Sequence, residues 1–256
     1  MTVLALVLLS GCASVPGPKD ERDPLESFNR AMYSFNDTVD KAVIKPVAEV
    51  YKENTPQPVQ TGVSNFFSNL DDIFVFLNDV LQFKFAQAAS DLSRLLWNTT
   101  VGLGGFIDVA SHMDLPKHNE DLGQTLATWG VGDGPYLVLP FLGPSTLRDT
   151  TGMVIEIPEH PVNQNINDTE EFWATAGLMF IDKRAQLLGA SKVVDQAALD
   201  NYVFVRDAYL QHRRSLIYDG NPPREKFKDS PAGGPSEEDL ELELELEREL
   251  QSAPKP

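Results

Sequence analysis

Apolar side chains recur every three to four residues through much of this chain, yet never in an uninterrupted run of about 18 or more. That spacing is the period of an α-helix with one apolar face, and the missing long run removes a transmembrane helix. The chain is therefore expected to be all-α, built from amphipathic helices. The first pattern starts near Pro24, with Asp23 as the expected N-cap, and passes through Leu25, Phe28, Met32, Phe35, Val39, Val43 and Val47. Pro46 should kink this helix or restart it. Thr55-Pro56-Gln57-Pro58 breaks the chain. A second pattern follows through Val59, Val63, Phe66, Phe67 and Leu70 into the wide apolar stretch from Ile73 to Phe85, and a third runs from Ala88 to Leu96.

A Gly-rich bend, Gly102 to Gly105, precedes an expected short helix from Phe106 to Met113. Between 119 and 149 the pattern dissolves. Gly123, Gly130, Gly132, Gly134, Pro135, Pro140, Gly143 and Pro144 interrupt Trp129, Tyr136, Leu137, Val138, Leu139, Phe141 and Leu142. Such density of Gly and Pro forbids a long regular helix and predicts an irregular, apolar segment. Helices are expected again at Met153 to Ile157, Glu170 to Leu188 and Lys192 to Tyr218. Gly220-Asn221-Pro222-Pro223 ends the last, and a Leu-Glu-rich tail expected to be disordered follows.

The N-terminus adds a covalent constraint. Leu9-Ser10-Gly11-Cys12 closes a short apolar run, and Cys12 is the only cysteine. The pattern reads as a bacterial lipobox: a signal peptide over residues 1–11, then an acylated Cys12, then a tether to residue 23. One acyl chain anchors marginally, so several on one cysteine make a stable anchor. Ala13, where an Asp commonly marks inner-membrane retention, favours the outer membrane. No Lys or Arg precedes Cys12, which leaves open a start upstream of Met1. With one cysteine no internal disulfide forms, so packing must hold the fold.

The formal net charge is −17; residues 237–249 carry −7 of it, leaving about −10 for the rest. This excludes a nucleic-acid-binding face and electrostatic attraction to anionic lipid. There is no Gly-x-Ser-x-Gly elbow and no Walker loop. Gly130-x-Gly132-x-Gly134 is followed by Pro135 and opens no helix, so it makes a poor dinucleotide loop. His112, His118, His160 and His212 have no metal-ligand spacing, and His112 and His118 read as solvated loop residues. The chain is read as no enzyme, with no cofactor and no metal. The apolar faces admit two readings: a soluble helical core, or faces sunk roughly 5–10 Å into a bilayer interface.

Several long motifs resemble the MlaA (VacJ) family of outer-membrane lipoproteins. They are Asp23-Pro24-Leu25-Glu26-Ser27-Phe28-Asn29-Arg30-x-Met32-Tyr33-x-Phe35-Asn36, Asn98 through Ala110, and Gly123-Gln124-Thr125-Leu126-x-x-Trp129-Gly130-Val131-Gly132-x-Gly134-Pro135-Tyr136. Leu139-Pro140-x-x-Gly143-x-x-x-Leu147-Arg148-Asp149, Arg184-Ala185-x-Leu187-Leu188 and Tyr202-x-x-x-Arg206-x-x-Tyr209 continue the likeness. It covers roughly Asp23 to Tyr218, and the acidic tail lies outside it.

The resemblance implies a lipid-anchored protein of the outer membrane, facing the periplasm. It implies a ring of amphipathic helices in the inner leaflet around a central amphipathic channel. Phospholipids misplaced in the outer leaflet would pass through it to a periplasmic lipid carrier, beside a trimeric porin. Residues 24–218 would form that helical domain and 219–256 the tail. Within it, Gly130, Gly132, Gly134, Tyr136 and Phe141 are expected in the channel wall or a covering loop, unless these glycines merely make turns. Phe35 and Asn36 match a family element near the channel mouth. The competing expectations are a structural or adhesive lipoprotein with a soluble helical core, and an enzyme acting on lipid or cell wall.

Overall fold

The computed structural model describes residues 20–166 and 168–223. Cys12, the signal peptide, the tether before Asp20 and the acidic tail lie outside the described residues. One compact unit reaches Gly220 and a second begins at Asn221; every helix and strand described belongs to the first.

Helix α1 (Glu26–Val39) passes through a π-helical turn, Asp40–Ile44, into α2 (Lys45–Asn54). Proline inside a helix lacks an N–H and collides with the carbonyl four residues back. The π turn restarts the hydrogen-bond ladder at Lys45, so Pro46 stands in a first turn, where its missing N–H leaves no vacancy. Asp23 is not the N-cap that the sequence suggests. That position is Leu25, with no side-chain cap. Asp23 is buried and accepts hydrogen bonds from Asn29 Nδ2 (2.8 Å) and the Tyr202 hydroxyl.

Helix α3 (Gln57–Leu81) has 25 residues, about 37 Å at 1.5 Å per residue. A short turn with Phe83 at φ 63° reverses the chain into α4 (Phe85–Thr100), which packs back on α3. The helix expected from Phe106 shrinks to a single 3₁₀ turn, Ala110–Met113. Asp108 accounts for this, because its carboxylate accepts from the Ser111 N–H (3.1 Å) and from Arg94 and Asn98 on α4 (3.2 and 3.1 Å), bonds that fix a turn instead of a helix.

The Gly/Pro-rich segment holds more order than its composition suggests. Asp121 caps the short α5 (Leu122–Thr128) through the Gln124 N–H. Strands β1 (Tyr136–Leu139) and β2 (Gly143–Thr146) then pair antiparallel, with Tyr136 opposite Thr146 and Leu139 opposite Gly143. This hairpin is the one departure from an all-α fold among the described residues. Thr146 caps α6 (Leu147–Glu159), which begins six residues before the expected Met153. After α7 (Pro161–Asn165), α8 (Thr169–Ala197) runs unbroken through Gly189, where the sequence suggests a break. The break falls later because Asp200 offers the N-cap of α9 (Asn201–Ile217), accepting from the Val203 N–H.

Packing contacts close a circuit: α1 to β1, β1 to β2, β2 to α6, α6 to α5, α5 to α3, α3 to α8, α8 to α2, and through the π turn back to α1. Helix α9 touches α5, β2 and α8. Helices α5 and α6 meet backbone to backbone. A Cβ on Gly152 would lie 2.6 Å from the Gly123 nitrogen, so only glycine fits there.

Polarity is inverted. Among the described residues, twenty polar or charged side chains are buried against eleven apolar ones. The apolar clusters are small: Ala48, Ala185 and Leu188 with Tyr51 and Ile181, and Tyr136, Val138 and Tyr202 with the residues around them. Large apolar side chains meanwhile face outward on nearly every element, including Phe28, Val50, Phe83, Phe85, Trp97, Leu103, Phe141, Val154 and Trp173. No helix among the described residues is long and apolar enough to cross a membrane.

Candidate functional site

The Gly/Pro segment and α1 meet at the hairpin. Asn29 and Asn36 lie on one face of α1. Asn29 donates to the Tyr136 carbonyl (2.9 Å) and accepts from the Val138 N–H (2.9 Å). Asn36 donates to the Leu139 carbonyl (2.9 Å) and accepts from the Phe141 N–H (2.8 Å). A lone two-stranded hairpin is marginal in water and leaves an open edge. Here two carboxamides take the place of a third strand.

The same docking brings together Phe35 and Phe141, whose rings meet edge-on at 5.4 Å. Phe141 turns the hairpin at φ 63° and is 56% exposed, with Leu142 beside it at 54%. The hairpin tip is thus an apolar knob seated on α1. Of the residues expected to act together, Phe35, Asn36 and Phe141 do meet. Tyr136 lies at the other end of β1, fully buried, against Tyr202 and Tyr209 at 6.3 and 6.2 Å. Burial raises its phenol pKa above the ordinary value.

The glycines lie in the loop before β1. Gly130 (φ 92°) and Gly134 (φ 66°) take left-handed backbone, and a Cβ on Gly134 would come 3.0 Å from that of Leu147. Gly132 needs no special backbone angle and faces open space. The loop is pinned at both ends. The Trp129 indole N–H donates to the Leu81 carbonyl at the end of α3 (3.1 Å), and Asp133 pairs with Arg148. Trp129 and Val131 are exposed between these anchors.

Behind the loop runs a buried ion network. Arg213 of α9 donates to Asp149 (3.0 and 2.9 Å) and to Asp121 (2.9 Å), while Arg148 and the Tyr209 hydroxyl (2.8 Å) also bind Asp149. Burial pushes the Asp149 and Asp121 carboxyls up, but Arg213 outweighs it and holds both below the ordinary carboxylate range. This network fixes α9, α5 and α6 around the hairpin. A separate open cavity of about 630 Å³, with Arg30, Tyr33, Asp37 and Leu199 among its walls, lies where α1 meets the α8–α9 junction.

Sequence reasoning singled out Asn36 as a site residue and left Asn29 as part of a motif, although a spacing of seven puts both on one helical face. It also misread His118. Its Nδ1 lies 2.8 Å from the buried Asp91 carboxylate, so it is an internal partner and not a purely solvated loop residue. The His112 ring bonds the nearby Asp108 carbonyl, and the residue is exposed.

Residues 21–216 match the MlaA lipoprotein family. The chain is 40% identical to the intermembrane phospholipid transport system lipoprotein MlaA of Escherichia coli (strain K12) over 225 residues, 85% of this chain and 87% of that protein. The Haemophilus influenzae protein of the same name is 34% identical over 227 residues, 85% of this chain and 89% of its own length. A solved structure reported as "Structural basis for maintenance of bacterial outer membrane lipid asymmetry" superposes with a TM-score of 0.65 at 34% identity, over 78% of this chain and 99% of that one.

Proposed function

We propose, from the premise that this chain belongs to the MlaA lipoprotein family, that it removes mislocalised phospholipid from the outer leaflet of the outer membrane and passes it to a periplasmic lipid carrier. Lipid asymmetry is thereby maintained without covalent chemistry. The observation that carries this reading is the inverted polarity: apolar side chains outward, charged and amide side chains inward. A water-soluble protein gains stability by the opposite arrangement. Outward apolar faces on helices too short or too polar to span suit a protein lying in a bilayer interface. The closed circuit of packing contacts is compatible with a wall around a polar passage.

On this reading Cys12 is the acylated anchor, and the protein faces the periplasm from the inner leaflet, beside a trimeric porin. Irregular backbone survives at membrane depth only when buried in protein or lining a water-filled cavity. The loop Gly130, Gly132 and Gly134 is assigned to the passage wall, and the knob of Phe35, Asn36 and Phe141 to its mouth. Tyr136 supports the hairpin from the core. The direction of flow comes from the lipid gradient and the carrier.

The test is the amount of phospholipid exposed in the outer leaflet of cells with and without the gene. A rise on deletion, reversed by the intact protein, is the expected result. No change would leave the family likeness as a shared fold and favour a structural lipoprotein.

A further inference from the structure

Where α3 turns into α4, two aspartates face each other, and among the described residues no Lys or Arg side chain hydrogen-bonds to either. Asp79, in the last turn of α3, and Asp91, on α4, are both fully buried. Neither Asp79 oxygen receives a hydrogen bond from any N–H or hydroxyl among the described residues, nor does Asp91 Oδ1. Asp91 Oδ2 is 2.8 Å from His118 Nδ1, and the Asp91 carboxyl is within hydrogen-bonding reach of Asp79. Two buried carboxylates at that separation repel strongly, and three acceptors without a donor are costly. A single proton removes the repulsion and turns one of the three lone acceptors into a donor to a second, because a carboxylic acid donates where a carboxylate only accepts.

We propose that Asp79 and Asp91 share one proton, as an acid-to-carboxylate hydrogen bond that latches α3 to α4 and is released as the medium turns alkaline. The latch is independent of the lipid-transport reading.

The surrounding charges do not supply the missing donor. Lys84, in the α3–α4 turn, is engaged by Glu120 (2.9 Å) and Asp219 (2.7 Å). Arg94, one turn beyond Asp91, is held by Asp108 and the Leu115 carbonyl. Glu120 adds negative charge from the segment before α5. Thr125 and Thr128 of α5 bind Asn78 and Gln82, and Glu156 of α6 takes Asn78. From α8, Lys183 pairs with Asp71, two turns earlier on α3. Among the described residues His118 hydrogen-bonds to the pair, and it does so through Asp91 Oδ2, leaving Asp91 Oδ1 and both Asp79 oxygens without a donor.

Burial, then the Asp91 hydrogen bond and charge, push the Asp79 pKa up from 3.8 to about 8. A raised folded-state pKa means that the folded protein holds the proton longer than the unfolded chain does. The contribution is intact below about pH 4 and is lost as pH rises through about 8.

The test is chemical unfolding of the full-length protein in detergent between pH 5 and 9, wild type against Asp79→Asn. The asparagine carboxamide donates to Asp91 at every pH. Relative to that variant, the unfolding equilibrium constant of the wild type should rise by up to ~10-fold per pH unit between pH 5 and 8, the slope of one linked proton. Parallel curves would overturn the proposal. A second measurement needs no variant that folds: in a ¹³C carboxyl titration of the wild type, one carboxyl of the Asp79–Asp91 pair should still be protonated at pH 7. Both carboxyls already ionised at that pH would equally refute the latch.

Discussion

Asn29 and Asn36 stand two helical turns apart on α1, and each carboxamide binds one carbonyl and one N–H of the segment from Tyr136 to Phe141. The match is metric. Seven helical residues rise about 10.5 Å, close to the length of three residues of extended strand. One helix face thus reads a strand edge at two points, and the hairpin tip is aimed by α1.

Removing one reader should loosen its end only. Asn36→Ala strips the Leu139 carbonyl and Phe141 N–H of their partner, a loss of roughly 0.5–1.5 kcal/mol per hydrogen bond, because water can replace the amide at this partly exposed tip. Amide exchange at Phe141 should accelerate, while Val138, held by the fully buried Asn29, stays protected. Uniform acceleration along the hairpin would show that the two asparagines do not act separately.

Gly132 and Gly134 separate wall from turn. Gly134→Leu forces a left-handed backbone on a branched side chain and crowds Leu147, so it should lower thermal stability. Gly132→Leu meets open space at an ordinary backbone angle and should fold with an unchanged melting temperature. If the loop lines the lipid passage, Gly132→Leu should still raise outer-leaflet phospholipid. Wild-type levels in that variant would take the loop out of the wall.

Arg213 compensates two carboxylates at once, the buried Asp149 and the partly exposed Asp121. Arg213→Met leaves both without their main counter-charge and should destabilise by ~3 kcal/mol, mostly through Asp149, since solvent screens the Asp121 share. The pH dependence has a definite sign. Both carboxyls titrate below the ordinary 3.8, so their contribution is present above that value and lost as pH falls through the lower folded-state value. Acid unfolding curves of wild type and variant should converge below about pH 4. Curves that keep their separation in acid would exclude this ion pairing as the source of the stability.

The outward apolar faces predict how the protein partitions. On the lipobox reading a Cys12→Ser form would carry no acyl chain, but it keeps Phe83, Phe85, Trp97 and Leu103 exposed. It should remain with membranes or require detergent. A monodisperse protein in plain buffer would favour the soluble-core reading.

Much of the helical framework is legible in the residues. The three-to-four spacing marks α1, α3 and α4, and Thr55-Pro56 places the boundary between α2 and α3 because proline disfavours helix in the residue before it. Asp168 caps α8 beside the expected start at Glu170, but the Asp200 cap of α9 is masked, because the apolar spacing from Lys192 to Tyr218 reads as one helix. The π turn before Pro46 has no such mark, since several ways of relieving a proline leave the same sequence. The hairpin was hidden for another reason. Its strands are four residues each, β1 is bracketed by Pro135 and Pro140 and β2 opens with Gly143-Pro144, and their open edge is satisfied by amides more than 100 positions away. The Asp79–Asp91 pair is likewise invisible along the chain, because only the turn of α3 into α4 removes water from both carboxyls together.

The sequence by itself determined the family, the helical period and the wide apolar faces, because each of these is set by neighbours within a turn or by motifs written in order. Only the tertiary structure decided which way those faces point. Periodicity shows that a helix has an apolar side but not whether that side meets protein or solvent. It took the packing of Arg213 on Asp121 and Asp149, and of Asn29 and Asn36 on β1, to place the polar sides inward and leave the apolar ones outside.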